Sequence, residues 1–473
     1  MTSLEWSNPK GLNRLLPMGH YVATLADMHS RSTRTAHRSA GLTVPQGAAL
    51  TTGAVLGTGV ITLPAVAAQI AGPASILAWV GLVALSVPLA GTFGALGARF
   101  PDGGGVSTYV RAAFGHRAGA VVGWWFFFAV PVGAPPAAMM AGGYVADAVG
   151  GGRGTTVTVA VVLLATVTAT NARGLRISGR VQLCLTATLA VLLAATVVAA
   201  LPEARLASLR PFAPHGWTAV AGSAAVLVWA FAGWEAVASL AGEYRDPARA
   251  VPRVTAVAVT VVGTLYVALA AVTLLVLGPA AGSSTAPLSD LLAVSFGGPI
   301  RAVTALVAVL LTLGTMNAYL AGVSRLGAAL ARDGALPAYL ASGHELGGVP
   351  RRSLALVSVL SGVSLAAAAA TGVGLGPLML LASGCFTLVY VVGTAAAVRL
   401  LPRHSWAWRG AVVALASVLV LLVFIGLHAL WAVGVGAAAL AYQGWRGRRD
   451  AREPAPARSA RAVPVPLPPE QPV

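Results

Sequence analysis

Residues 229–235 read WAFAGWE, and this stretch decides the fold because it interrupts an apolar segment long enough to cross a membrane. A membrane helix needs roughly 20 apolar residues, and the segment runs from about 217 to 241. Glycine lowers helix stability by about 1 kcal/mol and permits unusual backbone dihedrals. A second apolar segment, at about 45–70, contains GAVLGTGVI at 53–61, with Pro64 just beyond. We therefore expect two membrane helices that break near their middle.

Glycine-rich stretches have a second interpretation, because small residues also let membrane helices pack closely. The segment at 53–61, taken alone, does not separate the two interpretations. The matching stretch at 229–235 carries an acid, and freed backbone groups are tolerated in a membrane only where they line a cavity. The pair of stretches therefore favours broken helices around an internal site, as in secondary transporters.

The composition excludes a water-soluble protein. Of 473 residues, 57% are hydrophobic and 10% are charged, and the mean hydropathy is +0.80. Soluble domains carry about 25% charged residues. The formal net charge is +17, but the basic residues fall in short loops between apolar runs rather than on one face, which argues against a nucleic-acid binder. Two cysteines, far apart in apolar runs, predict no disulfide, metal site or cofactor.

The apolar segments predict an all-α integral membrane protein with about twelve spans. We number them from span 1 to span 12 in chain order. They lie near residues 45–70, 74–98, 118–146, 155–172, 178–200, 217–241, 252–278, 300–330, 353–371, 375–398, 408–426 and 428–445.

The distribution of arginine and lysine predicts the orientation of the chain. With both termini in the cytoplasm, all but four of the 31 basic residues fall on the cytoplasmic side. The four exceptions are Arg153, Arg205, Arg210 and Arg301. We therefore expect a multi-pass protein of a bacterial inner (plasma) membrane, surrounded by membrane lipid, with both termini cytoplasmic.

The pattern divides the chain into five parts. Residues 1–42 predict a basic, disordered cytoplasmic tail, without an apolar signal segment. Residues 43–200 hold spans 1–5 and residues 211–400 hold spans 6–10, which makes them two candidate repeats. Residues 405–446 hold spans 11 and 12, and residues 447–473 predict a second disordered tail rich in Arg and Pro.

Glu235 is the sharpest candidate for function. Among fourteen acidic residues it is the one that this assignment places well inside a span. An acid at the centre of a membrane helix costs about 2.5–3.5 kcal/mol on insertion scales, so it is seldom without a role. Three roles stay open: a proton carrier, a polar brace across the broken helix, or a structural hydrogen-bonded acid.

Two further polar side chains within spans have two interpretations each. Asn317 in span 8 either faces the core or bonds a neighbouring helix. Trp229 either covers a substrate or fills a helix interface.

Four stretches resemble the amino acid–polyamine–organocation (APC) superfamily, and the similarity covers roughly residues 42–446. GTGVI at 57–61 with Pro64 resembles the family's G-x-G-I…P pattern. PDGGG at 101–105, followed by YVR and FG, is similar to its second motif. FAGWE at 231–235, running on to Glu243, DP, Arg249 and VP at 251–252, is the most specific match. A further match spans 324–337.

The resemblance implies a leucine-transporter-type fold, a five-plus-five inverted repeat with two added helices. It implies that the substrate's carboxylate meets the backbone at Gly57, Thr58 and Gly59, and that its amino group meets carbonyls at Phe231 and Ala232. It gives Trp229 the role of covering the substrate and Glu235 that of proton coupling. We include Asn317 as a further candidate substrate contact.

Within this superfamily the chain is most similar to short bacterial exporters of methionine and branched-chain amino acids. The first hypothesis is therefore a carrier of neutral amino acids, an exporter by this likeness, coupled to H⁺ or working by exchange. The alternative is a carrier of cationic amino acids or polyamines. An intramembrane enzyme would need clustered acids or a metal motif, which the sequence lacks, so we expect no enzyme.

Two departures from the family pattern weaken parts of this hypothesis. Ser107 stands where the second motif has its first tyrosine. Span 5 contains no lysine, a residue that stands in for sodium in some proton-coupled relatives. The substrate, the coupling ion and the oligomeric state stay open.

Overall fold

The computed structural model describes residues 42–100, 105–174, 179–235, 237, 240–342 and 348–450. Over these residues the molecule is a bundle of helices, and its β structure is limited to one isolated β-bridge between Leu42 and Tyr244. The two predicted tails lie outside the described residues except at their inner ends. Leu42 belongs to the bridge, and residues 447–450 continue the last helix.

The described part of the chain contains fifteen α-helices. They are α1 (Val44–Leu56), α2 (Leu63–Ala71), α3 (Ser75–Arg99), α4 (Val106–Phe114), α5 (His116–Val149), α6 (Arg153–Ala172), α7 (Gly179–Ala200), α8 (Ala219–Phe231), α9 (Pro247–Leu277), α10 (Pro287–Phe296), α11 (Ile300–Arg332), α12 (Arg351–Thr371), α13 (Leu375–Leu400), α14 (Trp406–Ile425) and α15 (Ala429–Asp450).

The helices follow the predicted spans closely. Span 1 contains both α1 and α2, span 6 begins with α8, and every other span contains one long helix. In the described part of the chain, nine helical stretches are long and apolar enough to cross a membrane, and two of these join consecutive helices. The all-α, multi-pass membrane fold is therefore confirmed.

Two short helices, α4 and α10, were not expected from the sequence. α4 connects the second and third spans of the first predicted repeat, and α10 connects the second and third spans of the second. Both end at a glycine with positive φ, Gly115 at 89° and Gly297 at 79°, where the chain turns into the next long helix. α4 and α10 thus occupy the same place in the order of helices within the two predicted repeats, as two equivalent repeats would require.

Most arginines lie at one end of the bundle, which we call the basic end; the other we call the opposite end. α3, α6, α11, α13 and α15 finish at the basic end, and α5, α9, α12 and α14 start there. Arg446 Nη1 donates to the carbonyl of Gly334 (3.4 Å), which joins the ends of α15 and α11. The opposite end holds Arg153 and Arg301, at the first turns of α6 and α11.

Candidate functional site

The break in span 1 is made by a glycine in a conformation that other residues avoid. α1 ends at Leu56, and Gly57 follows with φ 36° and ψ −166°. One short turn, Gly59–Ile61, then leads to α2, which starts at Leu63 with Pro64 in its first turn. Positive φ is accessible to glycine at little cost. Backbone groups of residues 57–62 are consequently freed from regular helix pairing.

The break in span 6 lies directly against the break in span 1. α8 ends at Phe231, Ala232 is extended (φ −65°, ψ 131°), and Gly233 has φ 128°. A Cβ atom at Gly233 would lie 2.7 Å from the carbonyl oxygen of Ala54, in the last turns of α1. Two reasons therefore require glycine at position 233: its positive φ, and the closeness of the Ala54 backbone, which leaves no room for a side chain.

Two buried tyrosine hydroxyls brace these breaks. The hydroxyl of Tyr266 on α9 lies 2.8 Å from the Val55 carbonyl and 3.0 Å from the Ala230 carbonyl. Because a hydroxyl has one proton, it donates to one of these carbonyls at a time. The second hydroxyl, that of Tyr390 on α13, lies 2.7 Å from Glu235 Oε2 and 3.2 Å from the Phe231 carbonyl.

Glu235 is held by its own segment as well as by α13. Its Oε2 accepts a hydrogen bond from the backbone N–H of Gly233 (2.9 Å) and one from the Tyr390 hydroxyl. In the same segment, Trp234 Nε1 donates to Ser86 Oγ on α3 (3.0 Å). The broken end of span 6 is thus fixed by polar contacts from two neighbouring helices.

A cavity lies between the two breaks, and we call it the central cavity. None of its lining residues is charged. Thr58 is buried, and its Oγ1 has no hydrogen-bond partner among the described residues. The lining consists of Ala54, Val55, Gly57, Thr58, Gly59, Ala129, Val130, Gly133, Ala134, Ala137, Trp229, Ala230, Ala232, Thr315, Met316, Tyr319, Leu320 and Phe386.

A second, more open cavity connects the central cavity with the basic end, and we call it the vestibule. It extends to Gly105 and Val106 at the start of α4 and to Leu326 on α11. Glu235 lines the vestibule rather than the central cavity. Tyr319 lines both, and its side chain is 36% exposed although it lies well inside the bundle. The central cavity is therefore reached from the basic end.

Five of the predicted substrate contacts lie together on the wall of the central cavity. They are Gly57, Thr58, Gly59, Trp229 and Ala232. Trp229 is pressed against the first break, since a Cβ at Gly59 would lie 2.6 Å from its ring.

Phe231 and Asn317 lie elsewhere. The ring of Phe231 packs edge-on against Tyr266, at 5.2 Å between centroids, and its carbonyl oxygen lies 3.2 Å from the Tyr390 hydroxyl, which can donate either to this carbonyl or to Glu235. Asn317 Oδ1 accepts a hydrogen bond from Asn171 Nδ2 on α6 (2.8 Å). This contact corresponds to the second interpretation of Asn317, a bond to a neighbouring helix.

Sequence reasoning missed the side chains that complete the cavity wall. α5 contributes small residues on one face, Ala129, Gly133, Ala134 and Ala137, which leave room for the ring of Trp229. Tyr266, Tyr319 and Tyr390 were overlooked as well. These residues could have been noticed because each is a tyrosine inside an apolar span, and a buried tyrosine hydroxyl normally has a hydrogen-bond partner.

The described residues contain no group of three or more His, Cys, Asp or Glu side chains that could hold a metal ion. Chemically, the arrangement offers backbone groups and the unpaired hydroxyl of Thr58 to a small polar head, and a mainly apolar wall to the rest of a ligand. The carboxylate of Glu235 lies in the access route.

Known proteins match this chain over most of its length. A family model described as amino acid permease matches residues 42–443. The uncharacterized amino acid permease YecA of Bacillus subtilis is 32% identical over 402 residues, which is 85% of this chain and 95% of that protein. The L-methionine/branched-chain amino acid exporter YjeH of Escherichia coli is 30% identical over 228 residues, 48% of this chain and 54% of the exporter. The polyamine transporter PUT1 of Oryza sativa is 31% identical over 211 residues, 42% of this chain and 39% of that protein.

Proposed function

This chain belongs to the amino acid permease family, and from that premise we propose that it carries neutral, apolar amino acids across the membrane by alternating access. Membership in the family makes the protein a multi-pass membrane transporter of amino acids and not an enzyme. The proposal concerns three finer points: the class of amino acid, the coupling ion and the direction of transport.

The absence of charge on the wall of the central cavity is the observation that carries the substrate class. Burying a cationic side chain is costly unless an opposite charge or hydrogen-bond acceptors are placed beside it, whereas a neutral apolar side chain needs neither. The lining residues, all of them described, supply alanine, glycine, valine, Met316 and Phe386 instead.

The two breaks supply a place for the charged head that all amino acids share. We assign the substrate's carboxylate to the backbone at Gly57 and Gly59 and to the unpaired hydroxyl of Thr58. Its amino group then lies at the carboxyl end of α8, near the Ala232 carbonyl, where the helix dipole favours a cation. Trp229 closes over the aliphatic side chain against α5.

We assign proton coupling to Glu235. Its carboxyl group is in the vestibule, where a proton can enter, and is bonded to Tyr390 and Gly233, so protonation changes contacts of the broken span 6 directly. From the arginine distribution we infer that the basic end faces the cytoplasm. The vestibule then opens to the cytoplasm, and the proton would exchange with that side.

The relatives support the proposal in different measure. The Escherichia coli protein is named as an exporter of methionine and branched-chain amino acids, which fits an apolar cavity and makes export the direction to test. The rice protein is named as a polyamine transporter. It favours the alternative, in which Glu235 binds a cationic substrate from the vestibule.

Counterflow in proteoliposomes tests the substrate class. Vesicles loaded with unlabelled methionine, arginine and putrescine together receive labelled leucine, methionine, valine, arginine, lysine or putrescine outside. We expect transient accumulation of the neutral amino acids and none of the cationic compounds. Accumulation of arginine or putrescine alone would establish the alternative, and no accumulation of any of them would refute the assignment.

The substitution Glu235→Gln tests coupling. Glutamine keeps an acceptor for the Tyr390 hydroxyl but cannot release a proton. We expect counterflow to persist and uptake driven by an imposed pH gradient to be lost. Glu203→Gln is the matched control, because Glu203 is exposed in the turn after α7 and should keep both activities. Gradient-driven uptake that survives in Glu235→Gln would remove Glu235 from coupling.

A further inference from the structure

At the opposite end the bundle is covered by residues 278–296, which we call the cap. The cap consists of a short 3₁₀ segment, Gly278–Ser283, and α10. A Cβ at Gly282 would lie 2.9 Å from Cα of Gln69 on α2. A Cβ at Gly143 on α5 would lie 3.1 Å from the carbonyl oxygen of Thr285. The cap is thus in direct backbone contact with the helices on either side of it.

A buried layer separates the central cavity from the cap. Beyond Gly59, Ala137 and Trp229, which line the cavity, come Ile61 and Tyr144, with exposed fractions of 1% and 0%. This layer is what closes the cavity from the opposite end while the vestibule leaves it open to the basic end.

The hydroxyl of Tyr144 joins this layer to the cap. It donates to the carbonyl of Ile61, in the short turn that follows the break of span 1. It also accepts a hydrogen bond from the backbone N–H of Leu288 (3.1 Å), in the first turn of α10. One hydroxyl group therefore connects the candidate substrate site with the first turn of α10.

Arg301 ties the other side of the cap to two long helices. Its guanidinium group, on α11, pairs with Asp147 at the end of α5 and, through Nη2, with Asp290 on α10 (2.9 Å). Ser289 Oγ on α10 donates to the second oxygen of Asp147 (2.9 Å). Thr304 Oγ1 on α11 lies 3.1 Å from Ser289 Oγ. Three elements meet in this one network.

The network differs from the ion pairs at the basic end. Asp246 pairs with Arg249, and Arg332 with Asp333, so each of these pairs joins close neighbours in sequence. The side chains of Arg301, Asp147 and Asp290 are 32%, 18% and 29% exposed. Partly exposed ion pairs add modest stability and exchange with water. Such contacts favour one state yet can break in every transport cycle.

We propose that Tyr144 and Arg301 form a latch that holds the cap shut over the central cavity, with Tyr144 positioning the turn after the first break and Arg301 joining α5, α10 and α11. Opening of the cavity to the opposite end requires the latch to break. The inference rests on the proposed function only in that alternating access needs such an opening; it does not depend on which amino acid is carried.

Accessibility of a single cysteine tests the latch. Ala137→Cys places a thiol on the cavity wall, on the side of the latch, in a protein whose two native cysteines are replaced by Cys184→Ser and Cys385→Ala. A membrane-impermeant maleimide is applied to the opposite-end face of proteoliposomes, and the labelling rate is measured. We expect Arg301→Ala and Tyr144→Phe each to raise this rate about tenfold, within the range of conformational coupling energies.

Arg153→Ala is the matched control. Arg153 lies at the same end and donates to the carbonyls of Ala368 and Ala369 on α12, away from the cap, so its loss should leave the labelling rate unchanged. Higher ionic strength should raise the rate in the parent protein and have little effect in Arg301→Ala, because salt screens exposed charge pairs. A purely structural role of Arg301 would not produce this difference.

The outcomes separate the latch from the substrate assignment. Parental labelling rates in both Arg301→Ala and Tyr144→Phe, in protein that still performs counterflow, would overturn the latch and leave the proposed function standing. Faster labelling of the latch variants, together with an unsubstituted protein that exchanges none of the tested amino acids, would support the latch and refute the substrate class. If Arg301→Ala does not fold, Asp290→Asn tests the same pair from α10 by the same criterion.

Discussion

The break in span 1 and the break in span 6 present different chemistry to the inside of the bundle. The first offers backbone groups and the hydroxyl of Thr58 to the central cavity, without a charge. The second offers the carboxylate of Glu235 to the vestibule. Both depend on a glycine with positive φ, but the surroundings of these glycines differ. The same feature, a helix break at a glycine with positive φ, therefore occurs twice. One break lies beside the proposed substrate site, and the other lies beside the residue proposed for proton coupling.

The two breaks differ most in the space around their glycines. A Cβ at Gly57 would find its nearest neighbour, the carbonyl oxygen of Val55, at 3.7 Å, an ordinary contact. A Cβ at Gly233 would find the backbone of Ala54 and Val55 at 2.7–3.1 Å. The first glycine is needed for its dihedral angle alone, and the second also for its lack of a side chain.

The largest effect is therefore expected for Gly233→Ala. The added methyl group collides with the main chain of α1, which cannot move aside as a flexible side chain can, so the two breaks must separate. We expect loss of counterflow and a marked fall in thermal stability in detergent. Gly81→Ala on α3, where a Cβ meets nothing within 4 Å, is the control and should behave as the parent does. Normal transport by Gly233→Ala would show that the breaks need not touch.

A smaller effect is expected for Tyr266→Phe, which removes the one hydroxyl shared by both breaks. The carbonyls of Val55 and Ala230 lose their donor in a buried place, at a cost of about 1–3 kcal/mol. We expect a lower melting temperature and slower counterflow with unchanged selectivity. Tyr442→Phe, at a half-buried position of α15, is the control for the loss of a tyrosine hydroxyl outside the two breaks. If both variants melt alike, the shared hydroxyl does not hold the breaks together.

The smallest effect is expected for Gly57→Ala. The substitution puts a side chain on a residue with φ 36° and ψ −166°, which costs about 1–3 kcal/mol of backbone strain but creates no collision with a neighbour. We expect a raised KM in counterflow, because the backbone at Thr58 shifts, with a nearly unchanged maximal rate. An effect as severe as that of Gly233→Ala would make the two breaks equivalent and contradict the comparison.

The positions of the spans and of both breaks could be predicted from the sequence because they depend on local properties. Apolar length sets a membrane helix, and glycine beside polar residues ends one. The start of α1 is also set by neighbouring residues, because the N–H of Thr43 donates to the side chain of Gln46 (3.0 Å). The short helices α4 and α10 escaped prediction because, with 9 and 10 residues, they are too short to span a membrane.

The parts of the site that depend on distant contacts could not be predicted. Glu235 was recognised by its charge, but its partner Tyr390 lies on a helix far along the chain. The environment of Asn317 likewise depends on which face of α11 meets α6, and that is decided by packing. Phe231 belongs to the right segment, yet its ring turns toward Tyr266 and its carbonyl toward Tyr390.

The lengths of α1 and α8 also bear on biogenesis. Each has 13 residues and so extends about 20 Å at 1.5 Å per residue, whereas the hydrocarbon layer is about 30 Å thick. A helix that stops inside lipid leaves backbone groups without partners. For these two spans the partners come from Tyr266, Tyr390 and other side chains of the assembled bundle. We therefore expect integration of these two spans to be completed by tertiary assembly after synthesis of α9 and α13, and not by the translocon handling each segment alone.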